Sequence, residues 1–456
     1  MLLEIFDSYR QRIDHYDHWW REKYAWFSLA HVCRRWRAIA FASSSRLDLG
    51  ITVGPVKPGH IKTILSSPLP ISIDYRFMYK GITASAIWRM RAALKHRVRN
   101  IAFSGASADF DRLFKDTKCS FPELESLLLE FDYACELNVL DAVQGPGPYP
   151  RLRRLRLESL NGPGVSLASI SGILSSATAL TDLFLHINTT SCSSAETLLL
   201  ACLQGMPRLC ILHLSLPHNS TSQPSDPSTP QNIVPLSKLT CFLFVGNSLF
   251  LDALAAGLST PSLQDVDFEF YNDIWPPITH LPRFIDEIKE HYHVVHVALQ
   301  DWHFHLSLLT QSEYNGHCKP RFKFGPVLTP YSQSIMQISS ALSTRLTTVA
   351  VLRVTFDETD TNVWENVISW RRFLQQFSSV KTLCTEGPEN TRCITRTLCQ
   401  NIGEPEDLAF LPALEEIDLG KDPLNESQRK FRLATFQPFV SARQQGGRPV
   451  KIFFST

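Results

Sequence analysis

Three apolar residues at the spacing L-x-x-L-x-L recur along this chain, and that recurrence limits its fold more than any other feature. The clearest copy is Leu152/Leu155/Leu157 within residues 150–157. Leu155 and Leu157 stand two apart, so on a strand they share one face, and Leu152 joins that face from the preceding turn. Arg154, Arg156 and Glu158 point the other way. Earlier and later copies are Val98/Ile101/Phe103, Leu124/Leu127/Leu129, Leu180/Leu183/Leu185, Leu209/Leu212/Leu214, Leu239/Phe242/Phe244, Leu263/Val266/Phe268 and Val294/Val297/Leu299. Val349/Leu352/Val354 and Leu414/Ile417/Leu419 continue the series, with Val380/Leu383 as a partial copy. From Val98 to Val294 the first members are 26, 28, 28, 29, 30, 24 and 31 residues apart. One such strand cannot bury its apolar face alone, so copies must stack on one another.

That spacing is the signature of a leucine-rich repeat, whose period is roughly 20–29 residues. Here the period runs slightly long and the terminal Asn or Cys of the signature is mostly missing, which points to irregular repeats that contain helices. The expected fold class is therefore α/β: a curved parallel sheet with helices outside it. Alternating strands are expected at Leu47/Leu49 and Ile71/Ile73. Helices are expected at 60–66, 82–96, 166–176, 195–204 and 252–257, each ahead of the next strand. Two stretches interrupt the ladder. Residues 217–235 hold almost nothing to bury and read as an inserted loop. Residues 301–336 fall in a gap of 55 between Val294 and Val349 and read as a second insertion, with room for a degenerate copy around Phe304/Leu306 or Phe322/Phe324. A helix over 433–441 and a strand over 450–454 close the chain as a cap.

Composition sets outer limits. The chain has 456 residues, 44% of them hydrophobic, enough for a large core. A net charge of +1 gives no reason to expect nucleic acid or membrane as a partner through bulk charge. The 11 cysteines include no C-x-x-C pair, and Cys33, Cys202, Cys210 and Cys241 lie among apolar residues, the usage of a reducing compartment. No apolar run reaches membrane-spanning length, and the opening residues are too short and too acidic for a signal peptide. A soluble protein of the cytoplasm or nucleus is the expectation.

The start of the chain has a different character. Leu2, Leu3, Ile5 and Phe6 mark a short amphipathic helix. Leu29, Val32, Cys33, Trp36 and Ile39 recur at three- and four-residue steps, one stripe of a helix. Val-Cys-Arg-Arg-Trp-Arg with the following Ala-Ile-Ala resembles the second half of an F-box, and Leu-Leu-Glu-Ile-Phe resembles the first half. The whole chain is similar to F-box-like, leucine-rich-repeat proteins of mushroom-forming fungi. The resemblance implies an all-α F-box-like segment over 1–46 and a repeat solenoid over 47–456. It implies that the F-box binds the Skp-type adaptor of a cullin–RING ubiquitin ligase while the repeats recruit a target protein. The residues that carry over for the adaptor are Leu2, Leu3, Ile5, Phe6, Leu29, Val32, Cys33 and Trp36. An F-box ordinarily opens with Leu-Pro-x-Glu just before the first leucines; the chain starts after that point, so the segment reads as truncated at its N-terminus. The alternative is a stand-alone protein-binding repeat module whose first helices only cap the ladder.

Little in the sequence suggests catalysis. His291, His293, His296, His303 and His305 form its densest ionisable cluster, with pairs two apart on strands. No Cys, Asp or Glu at ligand spacing completes a zinc site, so no metal and no cofactor is expected. Nucleophile-elbow, phosphate-loop, zinc-helix and dinucleotide motifs are absent, and a non-enzyme is expected. The informative set is the strand face that points away from the core: Arg154, Arg156 and Glu158; Asp182, Phe184 and His186; Ile211, His213 and Ser215; Asp265, Asp267 and Glu269; Glu416 and Asp418. It runs from basic through aromatic to acidic. Concave solenoid faces are the usual binding surface, and aromatic and arginine anchors favour partners. Arg154, Arg156, Phe184, His213, Asp265, Asp267 and Glu269 are the candidate target-binding residues.

Overall fold

The computed structural model describes residues 33–42, 51–53, 70–74, 95–105, 121–131, 149–159, 164–188, 195–216, 233–270, 279–288, 292–300, 303–310, 322–326, 339–356, 367–385, 388–399, 410–421 and 425–455. The chain divides into two compact units, Met1–Asn188 and Thr189–Thr456.

One turn recurs ahead of the strands in both units. The N–H of the first triplet residue donates to the carbonyl three residues back: Leu124 to Phe121, Leu152 to Tyr149, Leu209 to Met206, Leu263 to Thr260 and Leu414 to Leu411. The second turn position is proline in all five, Pro122, Pro150, Pro207, Pro261 and Pro412. Proline suits that position because its ring holds φ near −65°. The next two N–H groups then both donate to a single carbonyl of the neighbouring strand entry. Arg153 and Arg154 donate to Glu125 O, Thr181 and Asp182 to Arg153 O, Gln264 and Asp265 to Thr240 O, and Glu415 and Glu416 to Lys381 O, at 2.8–3.0 Å. This paired donation sets the register of each strand on the last.

In the first unit, helix α1 (Arg34–Ala42) precedes β1 (Ile51–Val53), β2 (Ile71–Asp74), β3 (Val98–Gly105), β4 (Ser126–Phe131) and β5 (Arg154–Ser159). Then come the short β6 (Val165–Ser166), α2 (Leu167–Ser176) and β7 (Asp182–Asn188). Strands β1, β2, β3, β4, β5 and β7 are neighbours in that order and all parallel. Leu127, Leu155 and Leu183 stand in register, as do Leu129, Leu157 and Leu185. All six are buried, and helix α2 buries Leu167, Ile170, Ile173 and Leu174.

The second unit begins with α3 (Ala195–Gln204), β8 (Ile211–Ser215), β9 (Val234–Pro235), β10 (Cys241–Gly246), α4 (Ser248–Gly257), β11 (Leu258–Ser259) and β12 (Asp265–Phe270). It continues with α5 (Leu281–Asp286), β13 (Val294–Gln300), β14 (His303–Leu309), β15 (Phe322–Pro326), α6 (Ser343–Leu346), β16 (Val351–Phe356), α7 (Val367–Leu374) and β17 (Thr382–Thr385). Helix α8 (Pro388–Cys399), β18 (Glu416–Lys421), α9 (Glu426–Gln445) and β19 (Lys451–Ser455) complete it. Phenylalanine replaces leucine at the middle of its core: Phe242 meets Phe268 and Phe284 edge-on at 5.3 and 6.0 Å.

Here the structure corrects two expectations: an all-parallel sheet, and a second loop insertion. The spatial order is β8, β10, β12, β15, β14, β13, β16, β17, β18, β19. Strand β14 is antiparallel to both β13 and β15, and the three lie in reverse of chain order. Only residues 301–302 separate β13 from β14. A parallel crossover needs a dozen residues or more, so two can join only antiparallel neighbours. The stretch 301–336 thus holds two strands, one at each of the degenerate copies suspected at Phe304/Leu306 and Phe322/Phe324.

The triplet at Val294/Val297/Leu299 is also corrected. Val295 pairs with Leu352 and Val297 with Val354, so the repeat's apolar set is Tyr292/Val295/Val297. The expected loop at 217–235 ends in a strand, because buried Val234 pairs with Leu258 in a two-strand parallel ribbon. The first strand lies at Ile51–Val53; Leu47 and Leu49, and the expected helices over 2–10, 60–66 and most of 82–96, lie outside the described residues. Lys95–Arg97, at the end of that last span, is a 3-10 turn. The helices expected at 166–176 and 195–204 are present as α2 and α3. Helix α4 starts four residues earlier than expected, capped by Asn247, whose side chain accepts the Leu249 N–H at 2.8 Å.

Polar side chains tie neighbouring helices together. Asp252 of α4 accepts the N–H groups of Thr279, His280 and Leu281 at 3.2, 2.8 and 2.8 Å, satisfying the free donors at the start of α5. At the other end of α5, the Arg345 guanidinium donates to the carbonyls of Ile285, Asp286 and Ile288. Gly246 closes β10 with no room to spare. A Cβ there would stand 2.8–2.9 Å from Cδ1, Cβ and Cγ of buried Leu216. Gly246→Ala is expected to destabilise the second unit by roughly 1–3 kcal/mol through this overlap. Urea unfolding of the variant against the natural sequence measures it; an unchanged midpoint would show that Leu216 moves aside freely.

Candidate binding face

Strands β4, β5, β8, β10 and β12 bury alternate residues and leave the others half-buried or exposed, and that second face carries the predicted target-binding residues. On the first unit they form lateral rows. Ser126, Arg154 and Asp182 stand in register across β4, β5 and β7, as do Leu128, Arg156 and Phe184. Arg154 is exposed. Arg156 is held within the sheet: its guanidinium donates to Glu158 at 2.6 and 3.0 Å, approaches Glu130 at 3.9 Å, and lies 4.4 Å over the Phe184 ring. Phe184 and Arg156 therefore act as one stacked pair, with the ring kept in place by the cation. His186 Nδ1 donates to Ser159 O at 2.7 Å, which fixes its tautomer as a donor at that nitrogen. The face at this point is pre-organised, since its aromatic and its arginine are already oriented before any partner arrives.

On the second unit, the face of β8, β10 and β12 carries Ile211, His213 and Ser215, then Cys241, Leu243 and Val245, then Asp265, Asp267 and Glu269, all in register. Ile211 is 39% exposed and Asp265 is exposed; His213, Asp267 and Glu269 are half-buried. Burial, with Asp265 and Asp267 nearby, pushes the Cys241 thiol up to about 11, so it stays protonated at neutral pH.

From β13 onward the same face closes, which the sequence did not reveal. Ser307 is 7% exposed, Cys384 2% and Asp418 9%. Asp418, expected on the open surface, instead accepts the N–H groups of Gly420 and Ser455 at 2.9 and 3.1 Å. The candidate target-binding residues all lie on the more open strands, β5 to β12.

Exposed His293 precedes β13, His303 and His305 lie on β14, and His291 lies outside the described residues. Among the described residues no three His, Cys, Asp or Glu side chains converge as a metal site would require. His296 is the chemically notable member. Its Nε2 lies 2.8 Å from Thr355 Oγ1, and burial, reinforced by the adjacent Arg353 guanidinium, pushes its pKa down to about 4.

Of the adaptor candidates, Leu2, Leu3, Ile5, Phe6, Leu29 and Val32 lie outside the described residues. Helix α1 begins at Arg34, so Cys33 sits at its head instead of within it. Its exposed Sγ accepts the Trp36 N–H at 3.4 Å, in the manner of a helix cap. Trp36 and Ile39 are half-buried and share one side of α1.

Stacked strand-and-helix units, most of them entered by a tight turn and locked by paired donation to one carbonyl, define a leucine-rich-repeat type of α/β protein. No family model matches the sequence, and no curated protein matches it. Three solved structures are similar in part. A TLR13 complex with a single-stranded RNA has 11% identity and a TM-score of 0.29 over 85% of this chain, which spans 45% of that one's length. The leucine-rich-repeat-containing protein LegL7 from Legionella pneumophila has 12% identity and a TM-score of 0.28, covering 86% of this chain and 98% of its own. The yeast Rad7–Elc1 complex has 10% identity and a TM-score of 0.27, covering 93% and 90%. Likeness at this level carries no argument about function; the repeat geometry supplies the class. No helix among the described residues is long and apolar enough to cross a membrane.

His296 yields a pH test. Its folded pKa is about 4, below the ordinary value of 6.5, so the unfolded chain takes up its proton first as pH falls. The stability it contributes is complete above pH 6.5, declines between 6.5 and 4, and is gone below 4, at most about 3 kcal/mol in all. Urea unfolding at pH 7.5 and pH 4.5 should show a smaller pH dependence in His296→Gln than in the natural chain; equal dependence would mean that His296 is not the titrating group.

Proposed function

We propose that this chain is a non-enzymatic substrate receptor: its N-terminal helical segment holds a Skp-type adaptor of a cullin–RING ubiquitin ligase, and the open strand face binds the protein to be modified. The division of labour follows the F-box resemblance, with residues 1–46 as adaptor segment and 47–456 as the recruiting repeats. What chiefly supports target binding is the pre-organised row Leu128–Arg156–Phe184, an apolar, cationic and aromatic strip displayed across adjacent parallel strands. Aromatic and arginine side chains that need no reordering lose little entropy on contact, which suits them as anchors. On the first unit Arg154 adds charge to this row; on the second, His213, Asp265, Asp267 and Glu269 form a charged set of their own, and such charge selects among partners. On the adaptor side, Cys33 exposed at the head of α1 and Trp36 on its first turn are the described members of the resemblance set.

Co-expression of the full chain with a Skp-type adaptor tests the ligase half. Adaptor is expected to co-purify, and Trp36→Ala to reduce its recovery at least about tenfold, the scale of an interface anchor, with the unfolding midpoint of the repeats unchanged. A chain that recovers no adaptor, yet captures a protein lost on Phe184→Ala, would be a stand-alone binding module. Capture indifferent to Phe184→Ala and Arg154→Ala would remove the open face from the proposal.

A further inference from the structure

The C-terminal end of the second unit does not look like an inert cap. Terminal repeats normally end in a polar outer face, yet Phe431 of α9 is 42% exposed and Phe453 of β19 is 39% exposed. Cations surround them. Residues 425–456 contain six cations and one carboxylate, Glu426, in a chain whose net charge is only +1. Two of the six, Arg432 and Arg443, are buried and donate to the carbonyls of Leu419 and of Pro412 and Leu414. The other four, Arg429, Lys430, Arg448 and Lys451, are exposed, as are Arg392 and Arg396 of the adjacent helix α8. Guanidinium groups already lie against the rings here: Arg392 over Phe431 at 5.6 Å and Arg429 over Phe454 at 5.4 Å.

Strand β19 is also the last described strand of the ladder. Among the described residues it pairs only with β18, through Ile417↔Ile452 and Asp418↔Phe453. The N–H of Lys451 donates to Glu415 O and that of Ser455 to Asp418, so the odd-numbered amides turn toward β18. By strand alternation the amides of Ile452 and Phe454 turn outward. An outward row of strand amides is a template for another extended chain.

We infer that this part of the second unit binds an acidic, extended peptide segment, which adds to the outward edge of β19 and meets Arg429, Lys451 and Arg448 with its carboxylates. Charge selects the occupant. A second copy pairing edge to edge would set these cations against themselves. Nucleic acid would bring phosphates to the cations, but only an extended peptide supplies the alternating donors and acceptors that continue a strand ladder, and the Phe431 and Phe454 rings already carry guanidinium groups. The surface is separate from the open strand face, so it stands whether or not that face recruits a target.

The test uses the full chain and a labelled eight-residue peptide of alternating glutamate and valine, read by fluorescence anisotropy, with the lysine–valine peptide as control. Binding is expected for the glutamate peptide alone. The double variant Arg429→Gln/Lys451→Gln should weaken it about tenfold, as loss of two charge-assisted contacts predicts. Hydrogen exchange gives a readout independent of folding defects in variants: the amides of Ile452 and Phe454 should slow when peptide is added. Equal binding of both peptides, unchanged exchange at those two amides, tighter binding of a single-stranded oligonucleotide to the same cations, or sedimentation as a dimer through β19 would each overturn the proposal.

Discussion

A carbonyl that accepts two N–H groups from the next repeat is the contact on which this architecture rests. Glu125, Arg153, Cys210, Thr240, His293, Ala350 and Lys381 each supply one. Two consecutive donors on one acceptor leave a strand little freedom to slip, and a one-residue slip would turn every leucine outward. A tight turn lies just upstream of those donors, and it carries proline ahead of the donors to Glu125, Thr240 and Lys381. Thr181 and Thr240 add their hydroxyls to the same carbonyls at 3.0 and 3.2 Å. Register, burial of the triplets and alignment of the outer face all follow from a few atoms at each strand entry.

The reversal at β13–β15 shows where that device is suspended. The His293 N–H donates to Leu309 O on the antiparallel strand, not to the entry of β12, while its own carbonyl still accepts Ala350 and Val351. The ladder therefore resumes at β16 with the ordinary contact. Helices do not follow the strands into the reversal, because Asp252 and Arg345 keep α5 between α4 and α6 in chain order.

Much of this was legible beforehand. Nine of the ten complete triplets set out from the sequence occupy the strand registers assigned to them, because leucine and phenylalanine at two-residue spacing admit one burial face. The tenth failed where Val294-Val295-His296-Val297-Ala298-Leu299 offers two overlapping apolar registers, and only the pairing with β16 decides between them. The β13–β14 hairpin carried no signal, since Asp301-Trp302 lacks the glycine or asparagine that marks tight hairpins. Arg432 and Arg443 read as surface residues, and only the fold reveals the backbone carbonyls that receive them. For the candidate face, strand alternation put Arg154, Phe184 and the acidic residues of β12 on the side away from the triplets. It could not show that Arg156 is already held by Glu158 and Phe184, nor that the face closes beyond β13.

The inserted strands have a mechanical consequence. In an ordinary step the strands advance by about 4.8 Å and the packed helices by about 8–10 Å, so a stack bends toward its strand side. Between β12 and β13 lie two further strands, an advance of about 14 Å, against a single step from α4 to α5. At that one step the strand side has no shortfall to make up, so the mismatch that ordinarily bends a repeat stack is absent, as in a belt with links let into its inner edge.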